Sequence, residues 1–336
     1  MNPEAIIECV PNFSEGADLD KVRQIVASMQ VDGVRLLDWS LDTAHNRSVV
    51  TIAGSPNEVV EAAVRSVGKA AELIDLTRQT GVHPRIGAAD VVPFVPVSGI
   101  SLAECAMLAR QAGLQIWRRY GVPVYFYGAA ATRPDRVQLE DVRRGQFEGL
   151  REAALRDSSR RPDVGGPEVH PTAGASAVGA RSFLIAYNIY LDQDSPLGTL
   201  EPSTPDVSTA RSIARDIRAS NGGMQGVKAI GVLAQGRAQV SMNIMDYRVT
   251  SMRDVHAAVT KLAHRYGARI SDGELIGLIP EGAYEPESDW LRQIPGFDPA
   301  DKVLEQRLHS PMAWPEVTVP GPARRTVRAG NSSTTL

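Results

Sequence analysis

The chain has 336 residues, 43% of them hydrophobic and 22% charged, with a formal net charge of -3. That length can bury a sizeable core and suggests two domains, and the composition is that of an ordinary soluble globular protein. The mild acidity argues against nucleic acid or an anionic membrane as partner, since both require a basic surface.

No apolar run is long enough to span a bilayer, and Met1-Asn2-Pro3-Glu4-Ala5 lacks the positive end and long apolar stretch of a signal peptide. Cys9 and Cys105 are two thiols far apart, so a reduced, cytoplasmic setting is expected. Residues 6–10 read as a short strand, and Pro11-Asn12-Phe13-Ser14-Glu15-Gly16 as the loop that leaves it. Leu19, Val22, Ile25 and Val26 have helical spacing across residues 18–29. Strands are expected at 34–39 and 48–53, followed by a long amphipathic helix at 57–76 with Ser55 as N-cap and Pro56 in its first turn. The turn-rich loop Gly81-Val82-His83-Pro84-Arg85-Ile86-Gly87 precedes a buried-strand run at 90–97. This order, β-α-β-β-α-β, is the split unit of ferredoxin-like domains. A helix at 102–120 and a strand at 122–127 extend it.

The second half repeats the order: strand 183–191, helix 207–220, paired strands 227–234 and 238–245, helix 252–266 and a final strand from 269. The expected fold class is α/β (α+β), with two ferredoxin-like βαββαβ subdomains facing each other across a ligand groove. Between the halves, residues 157–167 are polar and turn-rich. They run into a second His-Pro loop, Glu168-Val169-His170-Pro171-Thr172-Ala173-Gly174-Ala175. A plain linker and a glycine loop that binds anions share this composition. From Glu285 on, Pro286, Pro295, Pro299, Pro311, Pro315, Pro320 and Pro322 interrupt the pattern, and the stretch reads as a largely disordered tail.

His83 is the first candidate for chemistry. A histidine can take and give a proton near neutrality, and Arg85 beside it offers a fork of donors suited to carboxylates. A histidine that satisfies a turn carbonyl has the same local pattern. His45, His83 and His170 all lie in loops, but no His-x-x-x-His or Cys-x-x-Cys pair accompanies them, and no metal is expected. Cys9 could act as a nucleophile with a histidine, although free cysteines are mostly buried and inert. Dinucleotide and nucleotide-triphosphate loops and the Gly-x-Ser-x-Gly elbow are absent. Arg47, Arg85, Arg133, Arg143, Arg144 and Arg181 fall in or beside loops. Together they fit a groove for a carboxylate-rich substrate as well as they fit a solvated surface.

These residues together resemble the formiminotransferase family. The resemblance is carried by Glu8-Cys9-Val10-Pro11-Asn12-Phe13-Ser14-Glu15-Gly16, by Asn46-Arg47-Ser48-Val49, and by His83-Pro84-Arg85-Ile86-Gly87-Ala88 with Asp90-Val91-Val92-Pro93-Phe94. Gly121-Val122-Pro123-Val124-Tyr125, the His170 loop, Gly179-Ala180-Arg181 and Ala238-Gln239-Val240-Ser241-Met242-Asn243 continue it in order. It implies an N-terminal subdomain over 1–180, a C-terminal one over 181–285, and an unmatched Pro-rich tail over 286–336. It also implies a folate-binding tunnel between the subdomains and transfer of a formimino group from N-formimino-L-glutamate to tetrahydrofolate, a late step of histidine degradation that releases glutamate. The family's catalytic histidine falls on His83. Its folate loop falls on Gly165, Gly166, Pro167, Glu168, Val169, His170, Pro171, Thr172, Ala173 and Gly174.

The chemistry agrees with that reading, because one histidine can serve first as base towards the folate nitrogen and then as acid towards the leaving nitrogen. Arg47, Arg85 and Arg181 are the expected contacts to substrate carboxylates, and Asp38 and Asp42 the candidates for orienting His83 or a folate amine. Tetrahydrofolate, possibly polyglutamylated, is the only co-substrate implied. Animal members carry a fused cyclodeaminase domain for which this chain is too short, so a separate cyclodeaminase is implied, and the family suggests a homodimer. The resemblance gives His45 and His170 binding or structural roles, and it marks Asp194 to Asp206 as an insertion. A folate-dependent formyltransferase using N-formylglutamate or another formyl donor, and a folate-binding protein without turnover, are the alternatives.

Overall fold

A computed structural model describes residues 2, 4–43, 45–81, 83–193, 207–234 and 236–316. The first unit is built from β1 (Ile6–Cys9), β2 (Asn12–Phe13), α1 (Leu19–Ser28), β3 (Val34–Asp42), β4 (Arg47–Gly54), α2 (Pro56–Leu73) and β5 (Ala89–Ser98). β1 and β2 are one strand interrupted at Pro11, which has no N–H to give to a ladder. Both pieces pair antiparallel with β4 on one side and β5 on the other. β3 pairs with β4 at the edge, so the four strands lie in the order last, first, third, second that defines a ferredoxin-like sheet.

Alternation along β1 decides the two faces of this sheet. Ile7 and Cys9 point into the core under the helices, whereas Glu8 lies on the opposite face, level with Ala53 and Val95. The buried Cys9 is the inert thiol of the simpler reading, its pKa pushed up by desolvation. Ser55 occupies the N-cap of α2, but its hydroxyl donates to Glu58 rather than capping the backbone. Beyond β5 the unit is extended by α3 (Leu102–Tyr120), β6 (Val124–Gly128), α4 (Leu139–Val142), α5 (Gln146–Arg156) and β7 (Ser176–Ala180). β7 and then β6 join the sheet parallel to β5. The sequence reading had missed β7, because Ser-Ala-Val-Gly-Ala is short and carries few β-branched residues.

The second unit repeats the frame with β8 (Ile185–Gln193), α6 (Val207–Ile217), β9 (Val227–Ala234), β10 (Arg237–Ile244), α7 (Met252–Arg265) and β11 (Ala268–Ile276). Its sheet runs β11-β8-β10-β9, antiparallel throughout. Ile185, Tyr187, Ile189 and Leu191 face the core, and the intervening Asn188 and Tyr190 lie on the helix-free face. The two units join through a small apolar cluster and a polar contact. Leu278, just past β11, packs with Leu37 and Ala53 of the first sheet, and Lys228 Nζ reaches Gln138 Oε1 at 2.9 Å and Glu140 Oε1 at 2.7 Å. The stretch expected as an insertion, Asp194 to Asp206, lies outside the described residues. No helix among the described residues is long and apolar enough to cross a membrane.

The tail expected to be disordered from residue 286 is instead folded as far as Glu316; residues 317–336 lie outside the described residues. It carries α8 (Asp289–Arg292), α9 (Pro299–Lys302) and α10 (Leu304–His309). Trp290 is fully buried against Tyr187. Leu304 and Leu308 fill the junction between the units. Arg307 Nε donates to the Leu37 carbonyl at 2.8 Å, and the Met312 N–H donates to the Leu36 carbonyl, also at 2.8 Å. Proline density had suggested disorder, yet Pro299 stands at a helix start, capped by Asp298, where its missing N–H costs nothing.

Candidate active site

The polar groups of the first sheet gather at one end, where β2 and β3 finish and β4 and β5 begin. His83 lies in the connection 74–88 between α2 and β5, and this connection is laced to the 165–174 loop by main chain. Leu76 N–H donates to the Thr172 carbonyl at 2.9 Å, Ala88 N–H to Ala173 at 2.9 Å, and Ala175 N–H to Ile86 at 2.9 Å. A side chain at Gly87 would meet the Ala175 carbonyl, and one at Gly174 would meet Ile86 O. Glycine at both positions is what lets the two loops touch. Asp90 Oδ1 accepts the Ile86 N–H at 2.7 Å and fixes the turn from below.

His83 is half-buried, and its Nε2 meets the Arg47 guanidinium, which also donates to Asn12 Oδ1. Burial, followed by the charges of Arg47 and Arg143, lowers the His83 pKa to about 2. The imidazole is therefore held neutral, with its Nε2 lone pair covered by Arg47. Arg47 is itself pushed down to about 10, by burial and then by Arg143. Among the described residues no carboxylate stands within ion-pairing distance of Arg47, and its Nε is buried without a partner. Arg143 pairs with Asp90, while its own Nε is likewise buried and unpartnered.

The other residues marked from sequence are distributed unevenly. Asp42 does not bond His83. Its Oδ2 lies 2.5 Å from His45 Nδ1, and the His45 ring stands edge-on to His83 at 6.4 Å between centroids. Asp38, further along β3, faces Lys302 of α9 at 3.8 Å. Arg85 is only 7% exposed, and its guanidinium is already occupied by Gln79 Oε1 at 2.5 Å, Gln79 O at 3.1 Å and Glu148 Oε1 at 2.9 Å. Arg181 follows β7 at the far end of the sheet, roughly 16 Å of strand from its start, where it acts on Glu8 and Tyr127. In the 165–174 loop, Gly166, Pro167, Glu168 and Pro171 are exposed, whereas Val169, Ala173 and Gly174 turn inward. His170 Nδ1 accepts the Ala173 N–H at 3.0 Å and the Thr172 N–H at 3.4 Å, so this ring stabilises its own turn.

Arg143 is among the six loop arginines named from sequence, with nothing local to tie it to His83. Asn12 and Asp90 stood inside the blocks that carried the resemblance, but nothing local aims them at His83. On the sheet of the second unit a further polar group was missed. Glu274 Oε2 accepts from Asn188 Nδ2 at 3.1 Å, Tyr190 OH at 3.4 Å and Gln239 Nε2 at 3.5 Å. It borders a cavity of about 290 Å³ lined also by Tyr190, Arg237, Asp272, Phe297 and Lys302. The signal was the polar alternation Gln239, Ser241, Asn243 along β10. Among the described residues no three His, Cys, Asp or Glu side chains gather as a metal site would require.

Comparison with known proteins bears on this geometry. Residues 6–181 match the formiminotransferase domain, N-terminal subdomain, and residues 203–291 the formiminotransferase domain. The glutamate formimidoyltransferase of Streptococcus pyogenes serotype M1 is 41% identical over 306 residues, covering 90% of this chain and 98% of that protein. The protein of the same name from Thermoplasma acidophilum is 40% identical over 309 residues, covering 90% and 97%. The formimidoyltransferase-cyclodeaminase of Rattus norvegicus is 37% identical over 280 residues, which are 82% of this chain and 50% of that longer protein. With both domains matched in order and relatives aligned along nearly their whole length, the chain belongs to the formiminotransferase family.

Proposed function

We propose that this protein transfers the formimino group of N-formimino-L-glutamate to tetrahydrofolate and releases L-glutamate, as a cytoplasmic step of histidine degradation. The observation that carries the reading is a half-buried His83 bonded by the guanidinium of Arg47, which among the described residues has no carboxylate within ion-pairing distance. The names of the relatives supply the substrate class. The folate ring nitrogen attacks the formimino carbon and forms the new C–N bond. His83 Nε2 takes the proton that nitrogen loses, and passes it to the glutamate nitrogen as the old C–N bond breaks. No electrons are exchanged, and tetrahydrofolate is the only co-substrate needed. The 165–174 loop, tied by main chain to the His83 loop, is the natural wall for the folate.

Purified protein is assayed with formiminoglutamate and tetrahydrofolate, the product being converted by acid to its methenyl form and read by absorbance. The native chain is expected to turn over, and His83→Ala to lose about 10²- to 10⁴-fold in kcat with folate affinity nearly unchanged. Absence of transfer by the native chain, or full activity in the variant, would overturn the reading.

A further inference from the structure

Arg47 donates to the Nε2 of His83 and so covers the lone pair that a base must offer. This contact is the starting point, because a guanidinium bonds a carboxylate about twice as strongly as it bonds a neutral acceptor. Both acceptors Arg47 has here, His83 and Asn12, are neutral. Arg143 stands close enough to depress the Arg47 pKa, and it shares Asp90 with the Ile86 N–H. Both guanidinium groups keep a buried Nε with no partner.

The charged and titratable groups around His83 can be taken element by element. β4 contributes Arg47, the turn after α4 contributes Arg143, β5 contributes Asp90, and the end of β3 with its following turn contributes Asp42 and His45. Asp90 is engaged by Arg143 and Asp42 by His45. Among the described residues the two guanidinium groups have one ion-paired carboxylate between them, Asp90, while Asp42 acts on Arg47 from a greater distance.

We propose that Arg47 and Arg143 form a two-guanidinium seat for a carboxylate of the donor, and that filling this seat draws Arg47 off the Nε2 lone pair of His83 so that the ring can accept the folate proton. This rests on the reading of the reaction given above and adds Arg143 to it as a substrate-binding residue. Two effects act in the same direction: the lone pair is uncovered, and the nearest positive charges are neutralised, which favours a protonated ring. The base is thereby armed only when the donor is in place.

Glutarate is the probe, a dicarboxylate with neither amino nor formimino nitrogen. The imidazole resonances of His83 are followed by NMR against pH in the native protein, without and with glutarate. Without it, His83 is expected to stay neutral down to the acid limit of the fold. With saturating glutarate, its midpoint is expected to rise by at least one pH unit, with Nε2 as the site of protonation. Arg143→Gln is expected to raise the KM for formiminoglutamate about 10- to 100-fold, to leave folate affinity unchanged and to abolish the glutarate effect. Arg143→Lys, which preserves the charge facing Asp90, covers the case in which the Gln variant does not fold, and it is expected to recover part of the glutarate effect.

Glutarate that fails to bind, or binds without moving His83, overturns the proposal, as does an unchanged KM in a folded Arg143 variant. The reaction reading fails separately, through absence of transfer by native protein, while the titration still decides the seat.

Discussion

The two units share one topology but differ in the connections they carry. In the first, α2 reaches β5 through residues 74–88, and β3 reaches β4 through residues 43–46. In the second, the equivalent connections are residues 266–267 between α7 and β11 and 235–236 between β9 and β10. Both lengthened connections of the first unit emerge at the same sheet end. One brings His83 and the other His45, with Arg47 opening the strand that follows. A ferredoxin-like sheet needs only tight turns at these points. The extra chain is anchored in the first core by Ile74, Leu76 and Ile86, and between these anchors it holds polar side chains over the end of a rigid sheet. The second unit instead presents strand residues, Asn188, Gln239 and Glu274, from its helix-free face.

The largest effect is expected at the junction of the two units. Leu304→Ala removes a buried side chain between the units, and a loss of about 3 kcal/mol in urea unfolding is expected. A loss below about 1 kcal/mol would mean that the C-terminal helices contribute little to joining the two sheets.

The next test separates two arginines of the first unit. Arg47→Met removes a cation that among the described residues has no ion-paired carboxylate and bonds only the neutral His83 and Asn12, so a rise of about 10-fold or more in the KM for formiminoglutamate is expected with a loss of stability below about 1 kcal/mol. Arg85→Met removes the donor to Gln79 and Glu148. A loss of about 1–3 kcal/mol is expected there, with KM nearly unchanged. The opposite pairing of effects would exchange their roles.

The smallest effect concerns Glu8, 2% exposed on the helix-free face of β1. Desolvation, opposed by Arg181 and reinforced by Glu305, raises its pKa from 4.5 to about 7. The folded state then holds a proton that the unfolded state has lost between those values, so this contribution to stability is present below pH 4.5 and lost as pH rises through 7. Glu8→Gln is expected to stabilise the protein by roughly 1–2 kcal/mol at pH 8 and by almost nothing at pH 4. Equal melting curves at both values would remove Glu8 from the titrating groups.

Much of the frame was legible in advance. Helical spacing of apolar residues located α1, α2, α3 and α7 within a few positions, because burial of one helical face is a local periodic requirement. The doubled βαββαβ order followed from those elements and the strands between them. Proline counting failed for residues 285–316, because Trp290 is buried from a helix of one turn, and the spacing of Leu304 and Leu308 is helical but spans a single turn, too short to stand out as a pattern. His83 was legible as a histidine in a constrained loop. That Arg85, two positions on, is bound inside the protein while Arg47 and Arg143 flank the ring was not, since sequence distance carries no information about which guanidinium meets which carboxylate.

By itself the sequence determined the secondary-structure order, the repeated unit and the family, which depend on local periodicity and on contiguous blocks of residues. Only the tertiary structure decided which polar groups share the end of the first sheet. That selection comes from strand register and from two loops laced through main-chain bonds at Gly87 and Gly174. Both arise only once residues far apart in the chain are packed together.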